Sequence, residues 1–150
     1  MNEYTEYLQH LAIALGSEVG FAGTADIPKI KTAFQSIERP EVVKFLDLGC
    51  GLGVPLWIAK QTWGGNHDNG DVYFGIDQHP KAVDVCKKMH SAFRVIEGDF
   101  TEKADMIAEA NIVFTYEPFA NFKPDWVLER MTAGTFFYMN GSGDITTLTK

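Results

Sequence analysis

The stretch Phe45-Leu46-Asp47-Leu48-Gly49-Cys50-Gly51-Leu52-Gly53 constrains the fold more than any other part of the chain. An apolar run from Val42 to Leu48 carries one acid, Asp47, near its end and then breaks into three alternating glycines. Val54, Leu56, Trp57, Ile58 and Ala59 follow at helical spacing. That order reads as a buried strand, a tight turn and a helix. Glycine lacks a Cβ, so such a turn can take positive φ and let a ligand approach the backbone. The helix start then offers unpaired N–H groups to that ligand. The pattern predicts a nucleotide-like cofactor at the carboxyl end of the first strand.

The rest of the chain extends the same pattern. Strands are expected at 42–48, 72–76, 93–96, 111–116 and 134–139. Helices are expected at 54–62, 80–90, 102–109 and 124–131. Such alternation implies an α/β fold with a doubly wound, mainly parallel sheet and helices on both faces. Ahead of it, Tyr4, Tyr7, Leu8, Leu11, Ala12 and Leu15 form an apolar stripe, which predicts a helix over residues 3–15. A glycine-rich loop and a helix from Pro28 to Ile37 follow, with Pro28 suited to a first turn. The segment Trp63 to Asp71 reads as a long polar loop.

A length of 150 residues fits one domain over 1–150 with a real core. No apolar run approaches the roughly 20 residues of a membrane helix, and Met1-Asn2-Glu3-Tyr4 does not open a signal peptide. A cytoplasmic location is therefore the expectation. The net charge of −7 argues against broad contact with a phosphate backbone. The densest basic group, Lys81, Lys87 and Lys88, reads as the solvated face of a helix. Cys50 and Cys86 fit neither a zinc site nor a disulfide framework, and no metal site is expected. Cys50 reads as a small residue of the glycine turn and Cys86 as a core residue. His10, His67, His79 and His90 are isolated in sequence and read as surface or structural.

The residues narrow the cofactor. Dinucleotide sites show G-x-G-x-x-G, whereas these glycines run G-x-G-x-G. Phosphate loops need Lys-Ser/Thr after the last glycine, and here Val54-Pro55 follows. Asp47 would repel a phosphate and suits an amino group. Those are the demands of S-adenosyl-L-methionine, with an ammonium, a sulfonium and no phosphate.

With these residues in place, Phe45 to Pro55 resembles the first motif of the class I (Rossmann-like) S-adenosylmethionine-dependent methyltransferases. Val72-Tyr73-Phe74-Gly75-Ile76-Asp77 resembles their second strand, Phe93 to Phe100 their third strand and its turn, and Asn111 to Pro118 their fourth strand and acceptor loop. The similarity covers Val42 to Met139. It implies that Asp47, Gly49, Cys50, Gly51 and Gly53 form the cofactor turn. It further implies that Asp77 accepts from the ribose hydroxyls, that Gln78 lines the adenine, that Asp99 accepts from the adenine amino group and that Phe100 stacks on the ring. Residues 42–139 would form the cofactor-binding core, and residues 1–40 a helical cover.

The resemblance also implies a strand order of 3-2-1-4-5 and a final helix and antiparallel hairpin. Gly141 to Lys150 is too short for both, so the hairpin is expected to be missing. The open edge of strand five would then take a homodimer partner or another protein.

In Tyr116-Glu117-Pro118-Phe119, Glu117 stands where adenine- and glutamine-modifying members of the family carry Asn or Asp, and a second proline is absent. Glu117, with Tyr116, is the catalytic candidate, as a general base or as the counter-charge of a lysine-like acceptor. The expected function is methyl transfer to an unidentified acceptor, a protein side chain or small molecule rather than nucleic acid. The alternatives are a non-catalytic S-adenosylmethionine-binding or assembly protein and, further off, an NAD-dependent oxidoreductase.

Overall fold

The computed structural model describes residues 27–65, 67–89 and 93–150. The helix expected over residues 3–15 lies outside them, as do His10 and His90. In chain order the elements are α1 (Ile27–Gln35), β1 (Lys44–Leu48), α2 (Val54–Trp63), β2 (Val72–Asp77), α3 (Pro80–Met89) and β3 (Arg94–Glu97), followed by α4 (Ala104–Glu109), β4 (Ile112–Tyr116), α5 (Asp125–Arg130), β5 (Thr135–Met139) and β6 (Ile145–Thr149). Short 3-10 turns occupy His67–Asn69 and Phe100–Glu102.

The sheet has six strands in the order β3-β2-β1-β4-β5-β6. The first five are parallel, and β1 lies between β2 and β4. Phe45 to Leu48 are all buried, as expected of a central parallel strand covered on both faces. On one face Phe34 of α1 stacks on Trp63 at 5.0 Å and meets Phe45 and Phe114 edge-on at 5.5 and 5.8 Å. The other face packs Leu46, Leu48, Val113 and Phe136 against Ile107 of α4 and Val127 of α5.

Two expectations are corrected. The C-terminal hairpin is present: β6 runs antiparallel to β5, from Thr135↔Thr149 to Met139↔Ile145. The chain reverses within a few residues because the Asn140 side-chain oxygen accepts from the N–H groups of both Ser142 and Asp144. Gly143 takes the positive φ that closes the turn. At the far end Gly134 and Lys150 exchange backbone hydrogen bonds of 3.2 and 2.9 Å. A strand can therefore return without the intervening helix that the sequence reading required. In consequence β5 has no open edge, and the homodimer or partner expected across it has no place to pair. The terminal strand on that side is β6.

The helix expected over 102–109 is also divided. Asp99 accepts from the Thr101 N–H and caps a 3-10 turn, and Lys103, at φ −115° and ψ 41°, separates it from α4.

At the amino ends of the strands Asp71, 2% exposed, accepts from the Val43 N–H at 2.8 Å and pairs with Arg39 at 2.9 Å. Arg39 also donates to the carbonyls of Trp63 and Pro40, tying α2 and the chain before β1 together. This staple lies at the opposite end of β1 and β2 from the glycine turn and leaves the carboxyl ends to the site.

Candidate functional site

A cavity of about 520 Å³ opens where the strand order reverses between β2-β1 and β4. Ligands of open α/β sheets sit at such a switch point, beyond the carboxyl ends of the strands. The lining comes from the ends of β1, β2 and β4, the glycine turn and the start of α2, the turn after β3, and one residue of α1, Ile30.

The glycine turn is held by β2: the Gly49 and Cys50 N–H groups donate to the Ile76 carbonyl at 2.8 and 2.9 Å. Gly49, Gly51 and Gly53 have φ of 78°, 51° and 85°. At Gly49 and Gly51 a Cβ would meet nothing within 4 Å, so glycine is required there by its conformation and not by crowding. Gly53 stands apart from the other turn residues. It is the N-cap of α2 and is not part of the cavity wall.

Cys50 contributes backbone to the cavity while its side chain is buried in the core. A hydrogen bond with Cys86 and burial push its thiol well up, with the carboxylates of Asp47 and Asp77 adding to the effect. Both thiols are free and buried. Room for it comes from Gly75, where a Cβ would lie 2.7 Å from the Cys50 Sγ and 2.8 Å from the Leu56 Cδ1.

Asp47 lines the cavity at 1% exposure. Its Oδ2 has no hydrogen-bond partner among the described residues. Burial first, and the charge of Asp77 second, push its carboxyl well above the usual carboxylate range. Asp77, at the end of β2, accepts from the Gly51 N–H through Oδ2 and from the His79 N–H through Oδ1, both at 2.8 Å. It therefore fastens the glycine turn and the entry to α3. Gln78 and His79 are exposed and lie on the wall.

Asp99 is exposed, and the hydroxyl and N–H of Thr101 hold its carboxyl below its ordinary value. Phe100 touches the cavity, yet its ring is packed edge-on against Phe122 at 6.1 Å and Trp126 at 5.8 Å. Core packing takes most of its surface, leaving 8% exposed.

Across the cavity stand Tyr116, Glu117, Pro118 and Phe119. The Thr115 hydroxyl donates to the Leu48 carbonyl and pins the end of β4 to β1. The Glu117 N–H donates to the Met139 carbonyl at 2.7 Å, continuing the β4–β5 ladder past the strand. Its side chain passes over Gly141, where a Cβ would lie 2.6 Å from Oε2. Burial and the Glu117 charge push the Tyr138 hydroxyl up. Phe119 is half exposed beside them and meets Phe122 edge-on at 5.3 Å.

The structure thus brings Asp47, Gly49, Cys50, Gly51, Asp77, Gln78, Asp99, Phe100, Tyr116 and Glu117 around one cavity. Sequence reasoning missed Ile30, His79, Thr101, Phe114 and Phe119 as wall residues. His79 and Thr101 follow recognised positions directly and were within reach; Ile30 comes from a separate helix and gave no signal. Among the described residues no cluster of His, Cys, Asp and Glu is arranged to hold a metal ion, and no helix is long and apolar enough to cross a membrane.

No protein-family profile matches the chain, and no curated protein matches it. Solved structures do. The plantazolicin methyltransferase BpumL, in complex with a pentazolic desmethylPZN analog and SAH, is 16% identical at a TM-score of 0.57, over 91% of this chain and 52% of that one. Geranyl diphosphate C-methyltransferase from Streptomyces coelicolor, in complex with S-adenosyl-L-homocysteine, is 10% identical at 0.54, over 78% of this chain and 43% of that one. An RNA methyltransferase from Salinibacter ruber, also with S-adenosyl-L-homocysteine, is 18% identical at 0.53, over 77% and 74%. The chain spans about half the length of the first structures it matches. At such identities the likeness establishes the fold, which is that of the class I S-adenosylmethionine-dependent methyltransferases.

Proposed function

We propose that this protein binds S-adenosyl-L-methionine and transfers its methyl group to an acceptor that is a protein side chain or a small molecule. One observation carries the reading: Asp47 is buried on the wall of the cavity at the switch point, and its Oδ2 has no hydrogen-bond partner among the described residues. An unsatisfied buried acceptor costs about 1–3 kcal/mol, more when charged, and a cationic ligand removes that cost. A phosphate would increase it, which disfavours NAD and the oxidoreductase alternative.

When bound, S-adenosylmethionine supplies a methyl on an electron-poor sulfonium. In this reading Asp47 receives the ammonium of the methionine part. Asp77 keeps its two N–H donors and uses its remaining lone pairs for the ribose hydroxyls. The Gly49-Cys50-Gly51 backbone carries the middle of the ligand, and Gly53 sets the start of α2. Gln78, Asp99 and the exposed edge of Phe100 border the adenine. Tyr116 and Glu117 stand on the acceptor side, where Glu117 takes a proton. Orientation of donor and acceptor does most of the work, because the donor is already reactive.

The acidic cavity wall, with Asp77, Asp99 and Glu117, favours a protein side chain or a small molecule over nucleic acid. The non-catalytic alternative loses one support with the hairpin strand present. Calorimetry with S-adenosylmethionine, S-adenosylhomocysteine and NAD tests the cofactor assignment. Binding of NAD with no response to the adenosyl ligands would overturn it. Release of S-adenosylhomocysteine in the presence of acceptor pools then separates an enzyme from a binding protein.

A further inference from the structure

The charge of the cavity wall and the surroundings of Glu117 point the same way. Among the described residues the cavity wall carries Asp47, Asp77, Asp99 and Glu117 and no Lys or Arg. A wall of one sign raises the local concentration of cations and repels anions.

The four acids are not equivalent. Asp77 and Asp99 have their lone pairs partly filled by N–H and hydroxyl donors. The Glu117 carboxylate makes no hydrogen bond or ion pair with any described residue. It is half-buried, and Gly141 leaves it room to swing. The same cavity wall carries Phe119, 50% exposed, which is the one exposed large hydrophobic side chain among the described residues. Its ring is braced edge-on by Phe122, so it does not collapse into the core. An exposed aromatic ring and an unpaired carboxylate on one cavity wall fit an ammonium on an apolar stem, through cation–π attraction and a charge-assisted hydrogen bond.

We infer that the acceptor is an amine, with its ammonium at Glu117 and its apolar body on Phe119. The inference rests on the methyl-transfer reading above and narrows it to one class of nucleophile. An ammonium has no lone pair and cannot accept a methyl. One N–H proton passes to the Glu117 carboxylate, which leaves the nitrogen pair free. That pair forms the N–C bond while the S–C bond breaks with its pair left on sulfur. The product leaves as a methylammonium, and Glu117 returns its proton to solvent. A carboxylate acceptor would be repelled by the Glu117 charge, and a neutral alcohol would meet it with one O–H hydrogen bond and no ion pair.

The test uses the full chain loaded with S-adenosylhomocysteine. Phenethylamine, phenethyl alcohol, a blocked Phe-Lys-Phe peptide and a blocked Phe-norleucine-Phe peptide are titrated in turn by calorimetry. Each amine is expected to bind about tenfold or more tighter than its neutral partner. Glu117→Gln is expected to erase that difference while S-adenosylhomocysteine still binds. The stronger of the two amines tells a free small amine from a lysine side chain. Equal binding of amine and neutral partner, or an advantage that survives Glu117→Gln, overturns the inference and leaves the cofactor reading standing. Failure of S-adenosylhomocysteine itself to bind overturns both.

Discussion

The Asp77 carboxylate accepts a 2.8 Å hydrogen bond from the Gly51 backbone N–H, joining the end of β2 to the glycine turn that follows β1. The same carboxylate holds the His79 N–H at the entry to α3. One side chain therefore shapes the turn and faces the ligand. Asp77→Ala removes both anchors, and a hydrogen bond to a charged group contributes about 1.5–3 kcal/mol. The variant should unfold at lower urea and bind S-adenosylmethionine at least about tenfold more weakly. Asp77→Asn keeps one acceptor oxygen and should recover part of the stability but little of the affinity. Denaturation and calorimetry on both variants check this, and an unchanged affinity in folded Asp77→Ala would show that the ribose lies elsewhere.

Asp47 makes a prediction about pH. Its carboxyl in the folded protein is held well above the usual range by burial and by Asp77. The folded chain thus keeps a proton that the unfolded chain gives up near pH 4. Stability from this group is fully present below that pH and is lost as pH rises toward the raised folded value. Asp47→Asn cannot ionise and lacks that slope. The urea midpoint of Asp47→Asn relative to the parent should climb across this window and level off above it. S-adenosylmethionine should show the opposite dependence in the parent, binding more tightly as Asp47 ionises. A difference between the two proteins that is flat with pH would show that Asp47 does not titrate in this way.

Glu117→Gln should leave cofactor affinity nearly unchanged and slow methyl transfer by about 10²–10⁴-fold, the usual contribution of a general base. Gly141→Ala offers a gentler displacement, since its Cβ would occupy space 2.6 Å from the Glu117 Oε2. It should slow transfer less and preserve the fold. It should also move the Tyr138 hydroxyl down toward its ordinary value, because Glu117 helps to raise it. Tyrosine titration by NMR reads that shift without an acceptor. No movement of Tyr138 would place Glu117 elsewhere.

Gly75 is expected to be intolerant for a reason outside its own strand. Alanine there would press on the Cys50 Sγ and the Leu56 Cδ1, and overpacking typically costs about 1–3 kcal/mol. Cys50 carries one of the two N–H bonds to the Ile76 carbonyl, so Gly75→Ala should weaken cofactor binding as well as stability. Adding Cys50→Gly should recover part of both losses, with Leu56 accounting for the remainder. Additive effects in this double-mutant cycle would deny the coupling.

Strands β1, β4 and β5 were legible because each is a largely buried apolar run bounded by polar or glycine residues, and Phe45, Leu46 and Leu48 show it most plainly. Strand β6 was not. Ile145-Thr146-Thr147-Leu148-Thr149 alternates only weakly, and what places it is the Asn140 carboxamide gathering two N–H groups, a contact no pattern of hydrophobicity announces. The clustering of Asp47, Asp77 and Glu117 followed from their positions at strand ends, which topology fixes. The direction of a ring or a thiol did not follow. Phe100 turns largely into the core and Cys50 points at Gly75 because of neighbours far away in sequence.

The cavity wall is shared among the ends of β1, β2 and β4, the glycine turn and the start of α2, the turn after β3, and α1, so no contiguous stretch of the chain owns it. A ligand seated there can be held only by the assembled sheet. Occupancy and folding then form a single equilibrium: at a ligand concentration of 100 times Kd the folded state gains about 2.7 kcal/mol. A chain short of its ligand would spend more of its time open to proteolysis, so the supply of that ligand would govern how long the protein lasts as well as how fast it works.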